Sequence, residues 1–256
     1  MARLTIAADK AAMSETAAER ITSLAEAAIG ARGVAAVSLT GGSTPDLLYA
    51  LLADPNRPWR QRIDWRRVHL FWGDEREVPP DHPESNYGLA HRLLLQHVEV
   101  LDTQVHRMRG ELPASDAGRL YDAVLRARRD QIAGRLFDVM LLGIGENAHI
   151  ASIFPESPLL LSGADLSGPR APLATGVAVP ELGTRRITMT PTALLNSAAI
   201  IMIAAEATKA GAIAAAIEGP LDVPRYPAQL LRAAGDRVEW IIDSAAAARL
   251  RAGRRA

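Results

Sequence analysis

The stretch "VAAVSLTGGSTP", Val34 to Pro45, joins an apolar run of strand-forming residues to a tight turn and the start of a helix. Gly41 and Gly42 let the backbone turn sharply. Pro45 suits the first turn of a helix, and Thr44 is a candidate for its cap. Such strand–turn–helix junctions are typical of α/β proteins, whose parallel strands are connected by helices.

The same alternation of strand and helix patterns continues along the chain. Seven apolar runs predict strands: "RLTIAA", "GVAAVSL", "VHLFWG", "FDVMLLGIG", "RRITMT", "AAIIMIAA" and "VEWIID". Six segments predict helices: "MSETAAERITSLAEAAIGA", "PDLLYALLA", "NYGLAHRLLLQHV", "ASDAGRLYDAVLRARRD", "ATKAGAIAAAIEG" and "SAAAARL". Ser14 is the candidate cap of the first. We therefore expect an α/β fold with a mostly parallel sheet. The alternation continues on both sides of the long loop at 157–176, so we expect one domain over residues 1–256.

Composition excludes several classes of function. Basic and acidic residues balance at 29 each, so the chain has no general attraction for nucleic acid or acidic membranes. The absence of cysteine excludes disulfides, zinc–thiolate sites and a thiol nucleophile. Neither a secretion signal nor an apolar run of membrane-spanning length is visible, which favours a cytoplasmic protein. Lys10 and Lys209 are the only lysines.

The turn after the second predicted strand is a candidate phosphate site. Its free N–H groups and the dipole of the following helix favour an anion, and Ser43 adds a hydroxyl. The alternative is an ordinary tight turn. It is not a Walker loop, because no Gly-Lys-Ser/Thr follows.

A second glycine turn, "LLGIGENAHIASIFP" at 141–155, places His149 just beyond a strand. A histidine there titrates near neutrality and can reach a ligand. The turn also matches the dinucleotide pattern G-x-G-x-x-A, with Asp165 at a suitable distance. We reject that interpretation, because Phe154-Pro155 would cut the following helix to barely two turns. The other histidines, His69 and His106 among them, show no partner pattern.

Two further segments carry charged groups to the ends of strands. "FWGDEREVPPDHPESNYG", residues 71–88, crowds Asp74 and Arg76 into a stretch that we interpret as a polar site wall. Arg186 precedes a strand, and Lys209 lies in the first turns of the next helix. Either cation alone fits a solvated surface, but both together with the "GGST" turn would neutralise a phosphate dianion.

These motifs, with "SLTGGSTP", "RRITMT" and "AAEATKAGAIAAAIEG", resemble in order and spacing those of the 6-phosphogluconolactonases. The resemblance spans nearly the whole chain. It implies a Rossmann-like domain of the kind shared with glucosamine-6-phosphate deaminases and ribose-5-phosphate isomerases. It implies 6-phospho-D-glucono-1,5-lactone as the substrate, in the oxidative pentose phosphate pathway. It implies neither a metal nor an organic cofactor, and we expect a monomer or a small homo-oligomer.

The histidine turn departs from the family pattern Gly-x-Gly-x-Asp-Gly-His-Thr-Ala-Ser. Asn147 replaces the aspartate, Ala148 the glycine and Ile150 the threonine. A left-handed backbone at Ala148 would be strained. Deaminases use the missing carboxylate as a proton shuttle, so Asn147 disfavours a deaminase or isomerase. A sugar-phosphate-binding module without catalysis is a further alternative.

The resemblance implies a division of roles among the candidate residues. His149 would act as the base that activates water. Arg76 and the backbone N–H groups of the glycine turns are both candidates to stabilise the oxyanion. Asp74 and Asn86 would order the loop or contact sugar hydroxyls. The group assigned to the phosphate comprises Gly41, Gly42, Ser43, Thr44, Arg186 and Lys209.

Overall fold

A computed structural model describes residues 2–131, 134–160 and 171–251. Six strands form a sheet in which every neighbouring pair is parallel. They are β1 (Arg3–Ala7), β2 (Ala35–Leu39), β3 (Val68–Trp72), β5 (Phe137–Leu142), β8 (Ser197–Ala204) and β9 (Val238–Asp243). The order across the sheet is β1-β9-β8-β5-β2-β3. All six were predicted from their apolar runs.

Helices cover both faces of this sheet. They are α1 (Lys10–Arg32), α2 (Asp46–Ala53), α3 (Pro58–Arg62), α4 (Asn86–Leu93), α5 (Ala114–Gln131), α6 (Pro191–Leu195) and α7 (Ala210–Glu218), with a kinked 3₁₀ segment at Pro227–Arg237. Successive strand residues point to opposite faces. In β5, Val139 and Leu141 join the core under α1 and α2, whereas Met140 and Leu142 join the core under α5 and α7. This burial on both faces explains why the strands read as continuous apolar runs.

A second, antiparallel sheet contains β4 (Asp74–Arg76), β7 (Thr184–Met189) and β6 (Ala174–Val179), in that order. The strand predicted at "RRITMT" is therefore correct, and Arg186 lies within it rather than before it. Its sheet was not predicted. β4 and β6 were missed, because one has three residues and the other, "ATGVAV", is only weakly apolar.

Several local predictions about helices are wrong. Asp9, not Ser14, caps α1, since its carboxylate accepts from the N–H of Ala12. Thr44 does not cap α2, whose N-cap position is Pro45 with no side-chain cap. The segment "SAAAARL" forms turns, and residues 146–155 contain no helix at all. Asp165 lies outside the described residues.

The sheet has one point where its strand order reverses. β2 is followed outward by β3, whereas β5, on the other side of β2, is followed outward by β8 and β9. Ligands of open α/β sheets bind beyond the carboxyl ends of the strands at such a point. The turns after β2 and β5 are the two glycine turns of the sequence. Among the described residues, no helix is long and apolar enough to cross a membrane.

Candidate active site

A cleft of about 180 Å³ lies at this reversal point. All ten residues that were given a catalytic or phosphate-binding role line it: Gly41, Gly42, Ser43, Thr44, Asp74, Arg76, Asn86, His149, Arg186 and Lys209. They come from separate parts of the chain, and the carboxyl edge of the sheet brings them together. Thr40, Gly143, Ile144, Gly145 and Ala151 also line the cleft and were not predicted.

The "GGST" turn is fixed from behind. The Tyr49 hydroxyl accepts from the N–H of Thr40 at 3.0 Å and donates to its carbonyl at 2.6 Å. The Lys10 ammonium donates to the Ser43 carbonyl at 2.7 Å. Gly42 adopts φ 85°, which a residue with a side chain rarely does. The turn therefore has a defined shape with its glycine backbone facing the cleft.

Gly41 is also required by the residue that lies against it. A Cβ at this position would stand 1.7 Å from Oδ1 of Asn86. The Asn86 amide nitrogen donates to the Asp74 carbonyl at 2.9 Å and to its carboxylate at 3.1 Å. Ser152 donates to the other carboxylate oxygen of Asp74 at 2.5 Å. Asp74 therefore joins three segments of the wall, and Ser152 was missed because only the fold brings it there.

Glu75 anchors the start of α4. Its buried carboxylate accepts from the N–H groups of Asn86 and Tyr87, at 2.7 and 2.8 Å, and from the Ser85 hydroxyl at 3.0 Å. A carboxylate suits this position, because the first N–H groups of a helix lack partners within it. Burial raises the pKa of Glu75, and the hydrogen bonds from backbone N–H groups oppose the rise.

Two arginines of the antiparallel sheet stand side by side in the cleft. Arg76 of β4 and Arg186 of β7 are direct register partners. Like charges in this position repel each other, so the arrangement favours an anion between them. Burial, and then the charge of Arg76, lower the pKa of Arg186. Nε of each arginine is buried without a hydrogen-bond partner, as is Oδ1 of Asn86.

His149 is held in one orientation. Asn147 Oδ1 lies 2.7 Å from its Nδ1 and also accepts from its backbone N–H at 3.2 Å. Because an amide oxygen only accepts, Nδ1 carries the hydrogen and Nε2 keeps a lone pair. The ring stacks on Phe154, with centroids 4.1 Å apart. Gly145 makes room for the ring, since a Cβ there would lie 2.0 Å from Nδ1.

Burial lowers the pKa of His149 to about 4. The nearby charges of Arg186, Lys209 and Arg76 act in the same direction, and that of Asp74 acts against them. The imidazole is therefore neutral at physiological pH. A neutral ring with a free Nε2 lone pair is the form that a general base requires.

The three departures in the histidine turn have distinct structural consequences. Ala148 adopts φ 66°, so the predicted left-handed backbone is present. It is fully buried, and its carbonyl accepts from the N–H of Ala228. Ile150 is also fully buried. Asn147 supplies an oxygen to the ring, so losing the family's carboxylate leaves His149 oriented.

His69 and His106 are partners after all. His69 Nδ1 lies 3.0 Å from His106 Nε2, and the ring of His106 stacks on Phe71. Burial lowers the pKa of both residues, that of His106 to about 4. They lie on β3 and on the segment that follows α4, outside the cleft. Among the described residues, no group of three histidine, aspartate or glutamate side chains could hold a metal ion.

Comparison with known proteins gives the family. The family model described as glucosamine-6-phosphate isomerases/6-phosphogluconolactonase matches residues 8–240. The chain belongs to this family. A 6-phosphogluconolactonase of Mycobacterium tuberculosis is 37% identical over 247 residues, which cover 91% of this chain and 92% of that protein.

Solved structures of the glucosamine-6-phosphate isomerase/6-phosphogluconolactonase family have the same fold. A 6-phosphogluconolactonase from Shewanella baltica is 25% identical, with a TM-score of 0.75 over 95% of this chain and 97% of the other. A monomeric glucosamine-6-phosphate deaminase superposes with a TM-score of 0.78 over 96% of this chain and 99% of its own. Its identity is 20%, so this likeness concerns the fold alone.

Proposed function

We propose that this protein hydrolyses 6-phospho-D-glucono-1,5-lactone to 6-phospho-D-gluconate, as its lactonase relatives are named for doing. The observation that carries the proposal is the composition of one cleft. It combines a neutral, oriented imidazole with a glycine turn and three cations. A phosphorylated lactone has complementary groups, namely an anion at one end and a carbonyl open to attack at the other.

The phosphate would bind over Gly41–Thr44, against Arg186 and Lys209. Backbone N–H groups at a helix start and the two cations would share its charge. The unpartnered Nε of Arg186 supports this assignment, because a buried donor without a partner is costly unless a ligand fills it. The phosphate would thereby fix the distance of the lactone ring from His149.

Nε2 of His149 would take a proton from water as the water oxygen bonds to the carbonyl carbon. The tetrahedral oxyanion would accept from Arg76, whose Nε is also free of partners. When the bond from carbon to the ring oxygen breaks, the imidazolium would return the proton to that oxygen. Asn86, with a free Oδ1, and Asp74 would order the wall or contact sugar hydroxyls.

The test is a hydrolysis assay on freshly made 6-phosphogluconolactone, corrected for spontaneous ring opening. We expect enzyme-dependent turnover that saturates with substrate. Calorimetric titration with 6-phosphogluconate runs in parallel. Binding without turnover would contradict the proposal and identify a sugar-phosphate-binding module, whereas ammonia release from glucosamine 6-phosphate would identify a deaminase.

Lys209→Ala tests the phosphate assignment. We expect it to weaken the use of the phosphorylated lactone by about tenfold or more, since a charged hydrogen bond contributes roughly 1.5–3 kcal/mol. Hydrolysis of unphosphorylated glucono-1,5-lactone should hardly change. Arg249→Ala removes a cation outside the cleft and serves as the control. Equal losses with both lactones would remove Lys209 from phosphate recognition.

A further inference from the structure

The connection between β8 and α7 contains a strained residue. Glu206 adopts φ 83° and ψ 145°, a region that glycine occupies and other residues rarely do. Holding a side chain there costs about 1–3 kcal/mol. Such a conformation persists only where its surroundings enforce it. Glu206 lies three residues before Lys209, at the carboxyl edge of the sheet where the cleft is.

Asp243 accepts hydrogen bonds from the backbone of this strained residue. It is the last residue of β9, the neighbour of β8, and is 6% exposed. Its two carboxylate oxygens accept from the N–H of Glu206 at 3.2 and 3.1 Å. One of them also accepts from the N–H of Ala246 at 2.7 Å. A buried carboxylate thus ties the strained turn to the end of the adjacent strand.

The same turn determines the position of the Lys209 backbone. The carbonyl of Glu206 accepts from the N–H of Lys209 at 3.1 Å. Lys209 closes the 3₁₀ turn Ala207–Lys209 and stands at the N-cap of α7. Its side chain lines the cleft, whereas Asp243 does not. The N–H of Glu206 therefore bonds to the buried carboxylate, and its carbonyl bonds to the backbone of the lysine.

We propose that Asp243 is a positioning residue that places the Lys209 ammonium for the substrate phosphate by clamping the strained turn at Glu206. This inference rests on the proposed function, because it takes the phosphate as the group that Lys209 binds. An amide at position 243 keeps one acceptor oxygen and turns an NH₂ group toward backbone donors. The turn then loses part of its clamp, Glu206 relaxes toward negative φ, and Lys209 moves from its place.

Asp243→Asn is the test, with Ser244→Ala as the matched control. Ser244 follows Asp243 in the turn after β9, but it donates to the Ala8 carbonyl at 2.7 Å instead of holding Glu206. For Asp243→Asn we expect KM for 6-phosphogluconolactone to rise about tenfold, the effect of roughly one buried hydrogen bond. Turnover of unphosphorylated glucono-1,5-lactone should stay within about twofold. Ser244→Ala should change neither.

A double-mutant cycle with Lys209→Ala decides whether Asp243 acts through the lysine. In that background, Asp243→Asn should have less than about a twofold further effect. Additive losses, equal losses with both lactones, or the same loss in Ser244→Ala would overturn the proposal. If Asp243→Asn does not fold alone, it is measured in the Glu206→Gly background, since glycine accepts φ 83° without strain. A KM rise of less than about twofold there would support the clamp, and a rise of about tenfold would contradict it.

Calorimetry with 6-phosphogluconate separates this inference from the proposed function. The proposed clamp predicts that Asp243→Asn weakens the binding of 6-phosphogluconate. It also predicts that Asp243→Asn causes no further weakening in a protein that already carries Lys209→Ala, whether or not the lactone is hydrolysed. Binding with this pattern but without turnover would contradict the hydrolase and support the clamp. Turnover with unaltered binding in Asp243→Asn, or no binding by the unmodified protein, would overturn the clamp.

Discussion

His149 is the residue on which the proposed chemistry depends. His149→Ala removes the free Nε2 lone pair and should lower turnover by about 10²- to 10⁴-fold, the usual contribution of a general base. The measurement is lactone hydrolysis at pH 7, with KM determined separately. His97→Ala, at an exposed position, is the control. A loss below about threefold in His149→Ala would show that another group activates the water.

Asn147 explains how a family turn without its carboxylate still holds the histidine, and it predicts an altered pH profile. A base works only when it is unprotonated, so activity should fall as the pH drops through the pKa of His149 near 4. In Asn147→Asp, a carboxylate beside Nδ1 would stabilise the imidazolium and raise that pKa. Activity at pH 7 to 8 should be preserved or increased.

The measurement for Asn147→Asp is kcat/KM across pH 4 to 8. We expect its acid limb to move upward by at least about one pH unit. Asn147→Ala, the control, removes the acceptor without adding charge and should lower kcat without that movement. An unmoved limb in Asn147→Asp, or a collapse of its activity, would contradict the assignment of His149 as the titrating base.

Among the connections, the one from β8 to α7 makes the clearest stability prediction. Glu206→Gly removes the strain of a side chain at φ 83°, roughly 1–3 kcal/mol, and adds about 0.5–1 kcal/mol of glycine entropy. The net effect should be a stabilisation of about 1 kcal/mol, measured by urea unfolding. Glu206→Ala keeps a Cβ and should show no such gain. Equal stability of both variants would contradict the strain.

Strands could be predicted where burial on both faces requires a continuous apolar run, as in β5. β4 gives no such signal, since its Asp74 and Glu75 are polar. Their burial is made possible by hydrogen bonds from the side chains of Asn86, Ser85 and Ser152 and from the N–H groups at the start of α4. The predicted start of α1 at Ser14 was wrong because composition alone does not select the cap. Ser14 is a residue type that commonly caps helices, but Asp9, five residues earlier, takes that role and leaves Ser14 buried inside α1.

The complete molecule explains why the cleft residues could be predicted together while their supports could not. Parallel strands end at one edge, so glycine turns and charges that follow strands must converge there. Lys10 follows β1 and Asp243 ends β9, but the residues that they hold, Ser43 and Glu206, are distant in sequence. Contacts between residues so far apart leave no local pattern in the sequence.

The stability of the whole molecule should depend on pH because of its buried histidines, although its acidic and basic residues balance. The pKa values of His69 and His106 are lowered by burial, so the folded protein resists protonation that the unfolded chain accepts near pH 6.5. Their contribution to stability is therefore present above pH 6.5 and is lost as the pH falls toward 4. His149 adds to the same slope.

His106→Gln tests this dependence, since glutamine does not titrate. Between pH 7 and pH 5, the free energy of unfolding should fall by about 1–2 kcal/mol less in this variant than in the unmodified protein, allowing for the partial exposure of the ring. Urea unfolding at the two pH values measures the difference. His97→Gln, at an exposed position, is the control. An equal slope in His106→Gln would mean that the stacked pair accepts a proton without resistance, and that its contact with Phe71 survives charging.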